Sequence, residues 1–226
     1  QTCALPICFG SALLTIPVSS HFLPLPFSLA VFALADLASA LRVGLENPRL
    51  AVKGEVLRMI SFTLVGTLIG MTLLVNLPRR GGMLALGFFV FSVALYRLLS
   101  RGTPRIVSQR WAFLAGLGGG LTSTLFGAGV PPYAIYLSHR PLSKEEYRAT
   151  VTMTAIFSIS MRVIAFIAAG FVDLRVLASV AVVIPAAMLG LLVAEQLFRR
   201  MSREALVRFV ELVLLCTGVS LVIRAW

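Results

Sequence analysis

Arg162 falls near the middle of a 23-residue apolar run, Arg148 to Gly170. A guanidinium stays charged at any pH a cell reaches. Placing one at bilayer depth costs roughly 2.5–3.5 kcal/mol on insertion scales, so it faces a bundle interior or a wet cavity. Two kinds of chemistry follow. Either an internal acceptor satisfies Arg162, or the residue holds an anion for passage. Ser158, four residues earlier, shares its helical face, and Thr150, Thr152, Thr154 and Ser160 recur along the same run. Asp36 is a second intramembrane charge, read as a proton-coupling carboxylate or as the partner of an arginine. Arg42, six residues further on, lies close enough to a span end for snorkelling to explain it.

The segment from Ala115 to Tyr133 supplies a different kind of donor. It carries Gly116, Gly118, Gly119, Gly120, Gly127 and Gly129, then Pro131-Pro132. Glycines permit turns and close approach, and a proline pair suits the first turn of a new helix. Broken backbone at membrane depth is tolerated only inside protein or beside a wet cavity. A half-helix starting near Pro131 would turn its positive end into that cavity. Thr122, Ser123 and Thr124 add hydroxyls, so the spacing describes an oxyanion site. The alternative is close helix packing through small residues.

Other chemistries find no support. No Gly-rich loop ends in Lys-Ser/Thr, so ATP hydrolysis by this chain is not expected. His21 and His139 lack a second ligand four residues on, and Cys3, Cys8 and Cys216 are scattered, so no metal site is expected. No nucleophile–base pair is suggested. The reading is a non-enzyme with no cofactor.

The elements that must position these residues follow from composition. The chain is 58% hydrophobic and 13% charged, with a mean hydropathy of +0.95, against about 45–50% and about 25% in soluble domains. This is an all-α polytopic membrane protein in contact with lipid. Its formal charge of +11 sits between apolar runs, as in cytoplasmic loops of membrane proteins, and no basic-aromatic stripe marks a nucleic-acid partner. Spans are expected at Phe27–Asn47, Val56–Leu77, Met83–Leu99, Arg148–Gly170, Val176–Phe198 and Ala205–Ile223. Two irregular segments, Phe9–Phe22 and Trp111–Leu137, add to these. Ser143 and Glu146 have capping-box spacing and start a helix at the membrane surface.

The two halves align without gaps at an offset of 120, which puts Arg42 on Arg162, Gly70 on Gly190 and Arg79-Arg80 on Arg199-Arg200. Two pseudo-symmetric repeats are read from this, 9–105 (incomplete) and 106–226. Residues 1–8 read as a non-native or truncated start: there is no initial Met and no signal-peptide pattern, and Gln1 to Ile7 resembles translated sequencing-adapter read-through. If Trp111–Leu137 crosses the membrane, the loop Lys/Arg divide eight against nine. If it re-enters, they divide thirteen against four, with Arg79, Arg80, Arg175 and Arg224 as the smaller group. The excess of Lys/Arg on cytoplasmic loops favours re-entry, which also inverts one repeat relative to the other.

The second half resembles the sulfite exporter TauE/SafE family of membrane permeases. The resemblance is carried by Phe126-Gly127-Ala128-Gly129-Val130-Pro131-Pro132, Tyr136-Leu137, and Lys144-Glu145-Glu146-Tyr147-Arg148-Ala149-Thr150. Ala169-Gly170-Phe171-Val172-Asp173 and Arg199-Arg200 fit the same pattern, and Val130 stands where a glycine is usual. The resemblance implies ATP-independent movement of sulfite, sulfonates or related organosulfur anions, here across a bacterial inner membrane. The expected substrate contacts are Arg162, Arg42, Ser158, Gly118, Gly119, Gly120, Thr122, Ser123, Thr124, Gly127, Gly129 and Pro131, with Asp36 coupling an ion. The rival expectation is a non-transporting membrane scaffold or assembly protein, in which Arg162 pairs internally with Asp36.

Overall fold

The computed structural model describes residues 15–16, 19, 22–44, 48–76, 81, 84–85, 88, 92 and 107–198. Among them run six α-helices: α1 (Leu25–Gly44), α2 (Lys53–Asn76), α3 (Ala112–Phe126), α4 (Val130–Ser138), α5 (Lys144–Ala168) and α6 (Leu174–Phe198). By length and composition α1, α2 and α5 can each cross a membrane. The all-α membrane class is as expected. The expected start at 1–8, the span Ala205–Ile223, the Arg79-Arg80 and Arg199-Arg200 turns, and most of Phe9–Phe22 and Met83–Leu99 lie outside the described residues.

Local chemistry sets the helix ends. Ser143 caps α5, accepting from the Glu146 N–H at 3.2 Å, while Glu146 Oε2 accepts from the Ser143 N–H at 2.8 Å. The capping box therefore starts α5 four residues before the apolar run. α3 ends on Gly127, whose φ of 69° is left-handed and whose N–H returns to the Ser123 carbonyl at 2.9 Å. Only glycine holds that conformation without strain. Gly129, Pro131 and Pro132 then restart the chain as α4. Gly116 to Gly120, expected to belong to the break, instead lie inside α3, and the interruption is confined to 127–129.

Glycines set how closely α2 and α3 approach. A Cβ on Gly116 would strike the Met59 carbonyl, one on Gly120 the Thr63 carbonyl, and one on Gly66 the Leu117 carbonyl. A Cβ on Gly70 would lie 2.9 Å from Thr124 Cβ. Both helices thus present glycines four residues apart to each other. Partner numbers rise together along them, so the helices run parallel. The Val52 N–H donates to Thr150 Oγ1 at 3.0 Å, which starts α5 at the same end.

α4 brings the chain back to that end. The Val107 N–H donates to the His139 carbonyl at 3.1 Å, and Arg140 Nη1 donates to the Val107 carbonyl at 3.0 Å. The two ends of the segment from 107 to 140 therefore meet at one end of the bundle, as a hairpin with its tip at Gly127–Gly129. Glu55, in the first turn of α2 and 4% exposed, fastens the mouth. It accepts from the Tyr136 hydroxyl at 2.7 Å and from Arg140 Nε and Nη2 at 3.1 and 3.0 Å. Arg49, Lys53, Arg58, Arg110, Arg140 and Lys144 gather at this end, while Arg175 lies at the other, beyond α5.

This topology has a direct test. With Cys3, Cys8 and Cys216 replaced by serine, Gln109→Cys and Ser138→Cys are expected to react with an impermeant maleimide from one vesicle orientation. Arg175→Cys is expected to react from the opposite one. Labelling of positions 109 and 138 from opposite sides would mean that the segment crosses.

Candidate functional site

Two apolar clusters flank a polar layer. At the mouth of the hairpin, Met59, Ala112, Ala115, Tyr133, Tyr136, Leu137 and Val151 pack together. Around the tip, Leu29 and Val31 of α1 join Leu74, Leu125, Phe126, Ala128, Val163 and Phe166, with Val176 and Val180 of α6. The polar side chains Thr63, Thr67, Ser123, Thr124, Thr154, Ser158 and Arg162 are buried in the bundle. Buried polar groups are costly unless partnered, so their partners show what this layer is built around.

Arg162 is 1% exposed. Its Nη1 donates to the Ser123 carbonyl at 2.8 Å, and its Nη2 donates to Asp36 Oδ2 at 3.2 Å. The first bond places a cation on the last turn of α3, at the negative end of that helix. The second joins α1 to α5. Asp36 is the wetter partner, with its side chain 19% exposed against 1% for Arg162. Only one carboxylate oxygen is engaged in the pair, and Arg162 Nε has no hydrogen-bond partner.

One turn closer to the mouth, the Tyr133 hydroxyl lies between two helices. It donates to Ser158 Oγ at 3.0 Å and sits 3.1 Å from Thr63 Oγ1. Gly119 makes room for the ring, since a Cβ there would overlap it. Ser158 and Arg162 share a face of α5, and Thr63 and Thr67 share a face of α2. Thr67 Oγ1 is buried and, like Arg162 Nε, has no partner.

The expected contacts divide on this geometry. Arg162, Ser158, Asp36 and the Ser123 carbonyl come together. Gly118, Gly119 and Gly120 lie within α3, where their N–H groups close the helical ladder and are not free for a ligand. Gly120 is a packing surface against α2. The Thr122 and Thr124 hydroxyls donate back to the Gly118 and Gly120 carbonyls at 2.8 and 2.9 Å, so those donors are also occupied. Gly127 and Gly129 build the turn, and a Cβ on Gly129 would come within 2.7 Å of the Gly119 carbonyl and Ser123 Cβ. Pro131 is buried in the first turn of α4. Having no N–H, it and Pro132 weaken the expected anion-binding helix start. Arg42 is exposed in the last turn of α1, outside the buried cluster.

Thr63, Thr67, Tyr133 and Glu55 were not singled out by the sequence reading. Gly66 and Gly70, spaced for close helix contact, were the available signal that the α2 face bearing Thr63 and Thr67 is buried.

The family model described as Sulfite exporter TauE/SafE matches residues 6–221. The chain is also similar to the "Probable inner membrane transporter protein TsaS" of Comamonas testosteroni, 27% identical over 165 residues. That match covers 72% of this chain and 69% of the relative. No solved structure matches.

Proposed function

The chain belongs to the sulfite exporter TauE/SafE family, a family of membrane transporters, and from that premise we propose that it is a secondary permease for a small sulfur-containing anion such as sulfite, a sulfonate or a related organosulfur oxyanion. The inner membrane is its proposed location, after the similar transporter. The observation that carries the reading is the broken backbone at Gly127–Gly129 beside a buried guanidinium. Gly127 N–H and Arg162 Nη1 both donate to the Ser123 carbonyl. Irregular backbone at membrane depth belongs beside a cavity or within protein, and an intramembrane cation there suits an anion pathway. In this reading 9–105 and 106–226 are two repeats that rock against each other in alternating access, and the basic end carrying Arg140 and Lys144 is cytoplasmic.

One observation favours a second reading. Arg162 already has Asp36 as its counter-ion, as a non-transporting scaffold or assembly protein would require. Radiolabelled sulfite and sulfonate counterflow in proteoliposomes separates the two. The permease reading expects saturable exchange above protein-free vesicles. Folded protein that exchanges none of these anions would favour the scaffold.

A further inference from the structure

By helical register, two of the buried side-chain atoms without a partner fall at one level of the bundle. Arg162 lies one helical turn beyond Ser158, and Thr67 one turn beyond Thr63. The Tyr133 hydroxyl links Ser158 to Thr63. α2 and α5 start at the same end, so one turn along each reaches the same depth, and residues four apart share a face. Arg162 Nε and Thr67 Oγ1 are therefore the donors left over in the layer just beyond Tyr133. A buried donor left unsatisfied is expensive, so an acceptor brought to that layer would be held there.

The Arg162–Asp36 pair shows what that is. A guanidinium holds an oxyanion best through two parallel N–H bonds. Here one carboxylate oxygen meets Nη2, while Nε is left without a partner. Asp36 is also on the wetter side of the pair. It acts as the chain's own oxyanion, bound in one-point fashion where a ligand would bind in two. Deepening the permease reading on which it rests, we propose that the transported anion binds across Nε and Nη2 of Arg162 with the Thr67 hydroxyl, and displaces the Asp36 carboxylate, which accepts a proton as it leaves. Two anions cannot share the one buried cation without a large repulsion. Each anion bound thus brings one proton: the carboxylate becomes a neutral acid, and the guanidinium changes its counter-ion.

Among the described residues, no other titratable group is placed to take that part. α1 packs against α3, α5 and α6. α3 carries no titratable side chain, and those of α5 other than Arg162 fall between Lys144 and Arg148. The described titratable side chain of α6 is Arg175, in its first turn, and α1 itself adds only Arg42.

The test uses methanesulfonate, whose own charge is constant from pH 5 to 8, titrated into the purified full chain by calorimetry. Wild-type affinity is expected to tighten by about tenfold per pH unit on acidification over part of this range, the slope of one linked proton. Asp36→Asn should bind at least tenfold tighter at pH 8 and lose the slope. Thr67→Val should weaken binding by about five- to tenfold at every pH. Should Asp36→Asn fail to fold, the wild-type slope and Thr67→Val still decide. Binding independent of pH, or an Asp36→Asn protein that keeps the slope, overturns the displacement. Thr67→Val with wild-type affinity removes that residue from the site. Anion counterflow in either case leaves the permease reading standing, whereas neither binding nor flux removes both.

Discussion

Arg162→Gln is expected to abolish anion counterflow and to destabilise the protein by about 3–5 kcal/mol, the usual effect of removing one partner from a buried ion pair. Two interactions are lost together. The Ser123 carbonyl loses its Nη1 donor, and Asp36 keeps a charge with nothing opposite it. Thermal unfolding in detergent gives the stability change. Since instability alone can remove flux, the informative protein is the double variant, Arg162→Gln with Asp36→Asn. Removing both charges is expected to recover most of the stability, and the deviation from additivity measures the pair directly. The permease reading expects the stable double variant to remain without flux. A scaffold would regain its whole function together with its fold.

The second large effect concerns α2 and α3. Gly120→Leu is expected to prevent folding, and Gly120→Ala to cost about 3 kcal/mol or more. Overpacking a core typically costs about 1–3 kcal/mol when side chains can adjust. Here the obstacle is backbone: a Cβ on Gly120 would strike the Thr63 carbonyl and come within 2.9 Å of the Thr67 N. The helices would have to separate, and Thr63 would move away from Tyr133. Gly54→Ala is the control, because nothing lies within 4 Å of a Cβ at that position. Alanine is also the better helix former by about 0.8–1.0 kcal/mol, so this variant should melt at or slightly above the wild-type temperature. Equal loss in Gly54→Ala and Gly120→Ala would contradict the close crossing.

How much of this was legible in the sequence depends on the distance over which each signal acts. Apolar runs placed α1, α2 and α6 to within about three residues at most ends. The Ser143 and Glu146 pair marked the true start of α5 because a capping box is a contact within four residues. Gly127, Gly129 and the proline pair correctly marked a break. Gly116 to Gly120 misled because a glycine gives one signal for two uses, backbone freedom and close contact. The partner that decides between them, α2, is more than forty residues away in sequence. Glu55 was invisible for a similar reason. A carboxylate in a first helical turn is ordinary dipole chemistry, and nothing nearby announces Tyr136 and Arg140. Arg162 and Asp36 were each recognisable as misplaced charges, although pairing them across 126 positions was one alternative among several.

The one-sided hairpin also constrains how the protein is made. α3 has 15 residues and α4 has 9, both short of the roughly 20 that let a helix leave the insertion machinery as an independent span. The break between them is irregular backbone, which is tolerated at membrane depth only within protein or beside a wet cavity. What accommodates it is protein from both sides of it in sequence: the glycine face of α2, synthesised earlier, and the guanidinium on α5, synthesised later. Docking of the hairpin tip is therefore expected to follow the synthesis of α5, which carries Arg162. Assembly in this chain is a matter of timing as much as of hydrophobicity.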